Sequence, residues 1–150
     1  MIILFFGQPA SGKTTLANAF FDKMKEVNPY NNFIRLDGDE WRDLSNNKDY
    51  SKEGRVANLK SAFTCAKFLN SKGFNPVLSF VTPYEELRTY LGTDTKLFQI
   101  YLEYNIDRGR TNYFANDFEK PKGCYLSINT SEISIDDCVN IVRNFCIEKK

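Results

Sequence analysis

A chain of 150 residues is long enough to bury a sizeable core and short enough to form one domain. With 42% hydrophobic and 26% charged residues it has an ordinary soluble globular composition, and a formal net charge of +1 offers no electrostatic footprint for a polyanion such as DNA. It contains no histidine, which excludes Ser-His chemistry and leaves carboxylates, lysines, tyrosines and cysteines as the available general bases.

Met1 to Phe6 is apolar but too short to span a membrane, which takes ~20 residues. It also lacks the basic start and cleavage site of a secretory leader. Cys65, Cys124, Cys138 and Cys146 form no C-x-x-C pair and read as buried small hydrophobes in a reducing compartment. A cytoplasmic protein with no membrane partner is expected. Ile2 to Phe6 has no polar alternation, as expected for a strand buried on both faces. Gly7 to Gly12 is a glycine-punctuated loop, and Lys13 to Val27 is a helix ending near Asn28-Pro29. Phe33 to Leu36 is a second strand, running into Asp37-Gly38-Asp39. Ser51 to Lys72 is helical, with Leu59, Ala62, Ala66 and Leu69 on one apolar face and Gly73 as its stop. Pro76 to Phe80 is a third strand. Thr82-Pro83-Tyr84-Glu85 then predicts a capping box, with proline at the first helical position. Leu97 to Leu102 is a fourth strand, and Ser134 to Asp137 opens a last helix with Ile135, Cys138, Val139, Val142 and Phe145 inward. Strand and helix alternate without a linker or repeat, which predicts one α/β domain over residues 1–150, a three-layer sandwich around a mostly parallel sheet. Residues 107–123 fit neither period and carry Arg108, Arg110, Lys120 and Lys122, as a short mobile lid would.

Gly7-Gln8-Pro9-Ala10-Ser11-Gly12-Lys13-Thr14 matches GxxxxGK[ST] in full, directly after a strand and directly before a helix. In such a P-loop the backbone N–H groups of Gly7, Ala10, Ser11 and Gly12, with those of Lys13 to Thr15, cradle phosphate oxygens at a helix N-terminus. Lys13 reaches the β- and γ-phosphates of ATP and the Thr14 hydroxyl ligates Mg²⁺. A GTPase would need a DxxG element and a guanine reader at spacings this chain lacks. A mechanical ATPase would need an acid at the end of its third strand, where Ser79 stands. A compact phosphotransferase remains. Asp37 and Asp39 emerge at the C-terminal edge of the sheet beside the P-loop, where a carboxylate can hold Mg²⁺ or take the proton of an acceptor hydroxyl; the competing reading is that one of them only caps the next helix.

With Leu36-Asp37-Gly38-Asp39 in place, the chain resembles the adenylylsulfate (APS) kinase family over its first two-thirds. The same order of motifs continues with Arg55-Val56-Ala57-Asn58, Ser79-Phe80-Val81-Thr82-Pro83-Tyr84 and Arg88. The resemblance implies ATP-dependent phosphorylation of a ribose 3′-hydroxyl on a small nucleotide. It makes Asp37 the acceptor-side base or magnesium acid, and Arg55 a catalytic contact to an acceptor phosphate oxygen. It places Asp39, Asn58 and Ser79 to Thr82 along the acceptor, and implies a homodimer. Two features depart from the family: Lys60-Ser61 replaces paired arginines, and the lid is shortened. Arg108 and Arg110 are both candidates for the lid arginine on ATP, Phe114 for the base-stacking aromatic, and Phe118 for a weaker one. The altered acceptor half leaves room for an acceptor other than APS. In its short length the chain resembles the branch of the family that acts on cytidine diphosphoramidate, of capsule phosphoramidate biosynthesis, and that resemblance implies this acceptor ahead of APS. A kinase of nucleic-acid ends would need a basic groove. A catalytically inactive nucleotide-binding regulator would not need the intact Lys13, Thr14 and Asp37.

Overall fold

The computed structural model describes residues 1–149. Five strands, β1 (Ile2–Phe6), β2 (Phe33–Asp37), β3 (Asn75–Ser79), β4 (Leu97–Glu103) and β5 (Leu126–Asn129), form one sheet in the order β2-β3-β1-β4-β5. Every pairing is parallel. Helices α1 (Lys13–Val27), α2 (Gly38–Ser45), α3 (Lys52–Ser71), α4 (Glu85–Gly92) and α5 (Ile135–Glu148) complete the α/β sandwich. Among the described residues no helix is long and apolar enough to cross a membrane.

The unalternating apolar run of β1 follows from its central place. Ile3 and Phe5 enter a cluster with Leu16 and Phe20 of α1 and Val139 and Val142 of α5. Ile2, Leu4 and Phe6 enter a second cluster with Leu59, Ala62 and Phe63 of α3 and Leu87 and Leu91 of α4. All five β1 residues are fully buried, and each such side chain contributes about 1.5–3 kcal/mol of burial. The long helix α3 stops where expected, with Gly73 at φ +90° and the Phe74 N–H closing back on the Leu69 carbonyl at 3.1 Å.

Three local expectations are corrected, the first being that the cysteines are buried: Cys138 and Cys146 are, but Cys65 is half-buried and Cys124 exposed. The capping box at Thr82 to Glu85 does not form: α4 starts at Glu85 with Tyr84 in the cap position, and Thr82 sits at φ +46° with its hydroxyl on the Phe80 carbonyl. Glu85 turns instead to the Arg88 guanidinium at 2.6 Å. Ser134 does cap α5 through the Asp137 N–H, but Ile135 is 49% exposed and Cys146 is buried on that face. Two elements, α2 and β5, had no clear sequence signal. The eight residues of α2 include none that is buried, and the four of β5 alternate apolar and polar over too short a run to stand out.

Candidate active site

The P-loop leaves the C-terminal end of the central strand and has no room to drift. Gly7 has φ +151°, and a Cβ there would stand 2.4 Å from the Leu102 carbonyl oxygen, so only glycine passes. Gly12, at φ +92°, turns the chain into α1, whose first-turn Thr14 and Thr15 line the cleft. The Lys13 side chain folds back, its Nζ donating to the Gln8 carbonyl at 2.8 Å and the Ser11 hydroxyl at 3.4 Å. Burial pushes its pKa down to about 8 from 10.5, against the pull of Asp39 and Asp37, while Arg110 pushes the same way as burial. Neither carboxylate forms an ion pair with Lys13 among the described residues, which leaves the cation available to a phosphate.

Asp37 ends β2 beside the loop. Its Oδ2 accepts from the Thr14 and Ser79 hydroxyls, each at 2.6 Å, and its Oδ1 accepts from the Asp39 and Glu40 N–H groups at 3.0 and 3.4 Å. Burial would raise its pKa, but the donors from Ser79, Thr14 and the two amides outweigh it and hold the carboxyl below its ordinary range. Asp37 therefore does cap α2, and it is a weak base with both oxygens engaged. The Asp39 carboxylate faces the same cleft and accepts no hydrogen bond among the described residues.

One cleft of about 430 Å³ joins the P-loop to residues of α2, α3, the turn after β3 and the segment from 108 to 113. It brings together Ala10, Gly12, Lys13, Thr14, Thr15, Asp37, Asp39, Arg55, Asn58, Ser79, Phe80, Val81, Thr82, Arg108 and Arg110 from the sequence-based set. Gly7 and Ser11 shape the loop from behind. Arg42, Tyr50 and Tyr113 also line the cleft and had not been anticipated. The only sequence hint was position: Arg42 lies one helical turn beyond Asp39, and Tyr50 directly precedes the Ser51 cap. Arg55 orders this end. Its Nε donates to the Tyr50 carbonyl and its Nη2 to the Tyr113 carbonyl, both at 3.0 Å, and the two tyrosine rings meet at 6.0 Å. The Arg42 guanidinium stacks over Tyr50 at 4.2 Å. Asn58, 5% exposed, keeps a buried Oδ1 without a hydrogen-bond partner among the described residues.

A model of the family described as adenylylsulphate kinase matches residues 1–133. The chain belongs to the adenylylsulphate kinase family. A cytidine diphosphoramidate kinase of Campylobacter jejuni is 34% identical over 94% of this chain and 93% of its own length. An adenylyl-sulfate kinase of Staphylococcus carnosus is 28% identical over 100% of this chain and 85% of its own. The fold is shared with the APS kinase CysC of Mycobacterium tuberculosis, solved with AMPPNP and APS, at a TM-score of 0.80, 19% identity and 95% coverage of each chain. This adenylylsulphate kinase relative is thus a phosphotransferase of the kinase type.

Where it departs from the adenylylsulphate kinase pattern, the structure shows what the substitutes do. Ser61 accepts the Trp41 indole N–H at 2.9 Å and donates to the Asn58 carbonyl at 2.8 Å, tying α2 to α3. The segment over residues 107–123 holds one 3₁₀ turn, Thr111–Tyr113, and is tied to the rest of the fold at several points. The Gln8 amide exchanges both of its hydrogen bonds with the backbone of Ala115, at 2.9 and 3.0 Å. Arg88, 1% exposed, donates to the Thr82 and Glu119 carbonyls at 2.7 Å each. Phe114 does not reach the main cleft. It lines a separate cavity and meets Tyr104 edge-on at 6.3 Å. Phe118 packs on Tyr101 at 5.9 Å. Both lid-arginine candidates line the cleft: Arg108 donates to the Ala10 carbonyl of the P-loop at 2.8 Å, whereas Arg110 rests over the Tyr113 ring at 5.0 Å.

Proposed function

We propose that the chain transfers the γ-phosphoryl group of ATP to a ribose 3′-hydroxyl of a small capped nucleotide, with cytidine diphosphoramidate as acceptor. One observation carries the transfer: a single cleft joins a P-loop lysine, Lys13, that forms no ion pair among the described residues to an acceptor end lined by two arginines and two tyrosines. The similarity to a kinase named for cytidine diphosphoramidate, over nearly the whole of both chains, supports that acceptor. Adenylylsulfate is the alternative, supported by the other named relatives.

In this reading the amides of Ala10 and of Gly12 to Thr15, with the Lys13 ammonium, hold the β- and γ-phosphates, while the Gly7 and Ser11 N–H groups are spent on the Val81 and Gln8 carbonyls, and Arg110 faces the same charge. Thr14 and Asp37 offer hard oxygen donors 2.6 Å apart, a set that suits Mg²⁺ completed by phosphate and water oxygens. The ion, when bound, neutralises charge developing on the transferred group. Arg42 and Arg55 take the acceptor's phosphate oxygens. Tyr50 and Tyr113 offer the base an aromatic wall. Asn58 Oδ1 accepts from the ligand the hydrogen bond it lacks in the protein. The acceptor hydroxyl attacks the γ-phosphorus, the bond to the β,γ-bridging oxygen breaks, ADP leaves, and the hydroxyl proton passes to Asp39, whose carboxylate is unencumbered where that of Asp37 is not. A cytoplasmic homodimer belongs to the same proposal, and sedimentation velocity tests the dimer.

The test is ADP release with ATP and Mg²⁺ against each acceptor. Turnover with cytidine diphosphoramidate alone supports the reading. Turnover with adenylylsulfate alone moves the chain to the alternative. No turnover with either, despite ATP binding, would make it a nucleotide-binding regulator.

A further inference from the structure

We propose that Arg35 is a positioning residue for the phosphoryl-transfer centre, acting through the Ser79 hydroxyl to fix the carboxylate of Asp37. The inference extends the proposed kinase reading of the cleft and concerns a residue that does not itself line it. Strand alternation puts Leu36 into the α3 and α4 core, so Arg35 faces the opposite way, toward α1. Its side chain is only 14% exposed. There it donates from Nε to Asn18 Oδ1 of α1 at 2.9 Å, from Nη1 to the Val77 carbonyl at 2.6 Å, and from Nη2 to Ser79 Oγ at 2.9 Å. The direct approach to Asp37 Oδ2 is longer, at 3.8 Å.

The third contact is what makes the arrangement directional. A guanidinium can only donate, so Ser79 Oγ must accept from it. The single hydroxyl proton of Ser79 is then left for Asp37 Oδ2, to which it donates at 2.6 Å. Without Arg35 the hydroxyl is free to rotate, and Oδ2 loses a donor that opposes the one from Thr14. Tying α1 to the sheet would need only the contacts to Asn18 and Val77. The Nη2 contact to Ser79 adds nothing to that tie and is the part assigned to Asp37. Outer contacts of this kind commonly alter metal affinity by 10- to 100-fold.

The experiment compares Arg35→Leu, Ser79→Ala and the double variant with wild type. Calorimetry with a non-hydrolysable ATP analogue, with and without Mg²⁺, is read alongside amide exchange of Asp39 and Glu40 in ligand-free protein. Each single variant is expected to weaken the Mg²⁺-dependent part of binding roughly tenfold. The double variant should be no worse than either single, because both remove one relay. Mg²⁺-free binding should be unchanged, and the Asp39 and Glu40 amides, which donate to Asp37 Oδ1, should exchange faster. An unchanged Mg²⁺ dependence with only a lower Tm, or fully additive losses in the double variant, overturns the proposal and leaves Arg35 as a tie between sheet and helix. If Arg35→Leu does not fold, Arg35→Lys keeps charge and stem but cannot reach Asn18, Val77 and Ser79 together, and it is read the same way. If wild type shows no Mg²⁺-dependent binding, the MgATP reading fails. The amide exchange of Asp39 and Glu40 still decides whether Arg35 orients Asp37.

Discussion

Lys13 is the residue at which folding and function pull against each other. Its pKa of about 8 in the folded chain lies below the unfolded value of 10.5 because burial disfavours the charged form. Between those values the unfolded state binds more protons than the folded one, so stability rises with pH through that window and the full penalty applies below it. The penalty is at most about 3 kcal/mol. In nucleotide- and metal-free protein, Lys13→Met should therefore melt above wild type at pH 7, and the difference should shrink as pH rises from about 8 to 10.5. The same substitution should remove turnover by about 10²–10³-fold, as should Asp37→Asn, without unfolding the chain. Thermal melts across pH, read beside an ADP-release assay, check both. A variant that melts lower at pH 7 would overturn the burial penalty, and one that turns over like wild type would remove Lys13 from the site.

At the scale of elements, the sequence was readable wherever the apolar pattern was long or bound to a motif. β1, α1 and α3 each have a period or a motif that leaves one choice, and Asp37 was already placed at the edge beside the P-loop. What was not readable depends on contacts between distant parts of the chain. Tyr50 and Tyr113 lie 63 positions apart, and the fork of Arg55 onto their two carbonyls is what sets their rings together. Phe114 was chosen for being aromatic, but the bond between the Gln8 amide and its neighbour Ala115 leaves it beside Tyr104, outside the main cleft. That clasp yields a prediction for the proposed lid over residues 107–123. Gln8→Ala removes two hydrogen bonds of about 1 kcal/mol each, and with them the lid's central tie to the P-loop. Amide exchange at Ala115 and proteolysis within residues 107–118 should accelerate, and KM for ATP should rise several-fold, while Tm falls by at most roughly 6 °C. Unchanged exchange at Ala115 would show that the ties at Arg55 and Arg88 suffice without Gln8.

For the whole molecule, the sheet has an apolar layer on each face, and the strands belong to both. Leu4 and Phe5 are neighbours in β1, yet Leu4 packs against the α3 and α4 layer and Phe5 against the α1 and α5 layer. Neither layer can loosen without exposing alternate residues of the same strands, so we expect residues 1–149 to unfold as one unit. Trp41 is a natural reporter, since it packs on the α3 side and its indole N–H bonds Ser61. Val142 of α5 is fully buried on the opposite face. Val142→Ala should cost about 2 kcal/mol through the cavity it leaves, a drop of roughly 6 °C in Tm for a chain of this size. Trp41 fluorescence and far-UV circular dichroism should move by the same amount, because a strain on one face reaches the other only through shared strands. If the circular dichroism transition falls while the Trp41 transition stays put, the two layers melt separately and the one-domain expectation fails. If both move together, the cleft at the C-terminal ends of β1, β2 and β3 is held by the whole fold, and a core change far from it lowers the temperature at which the kinase site survives.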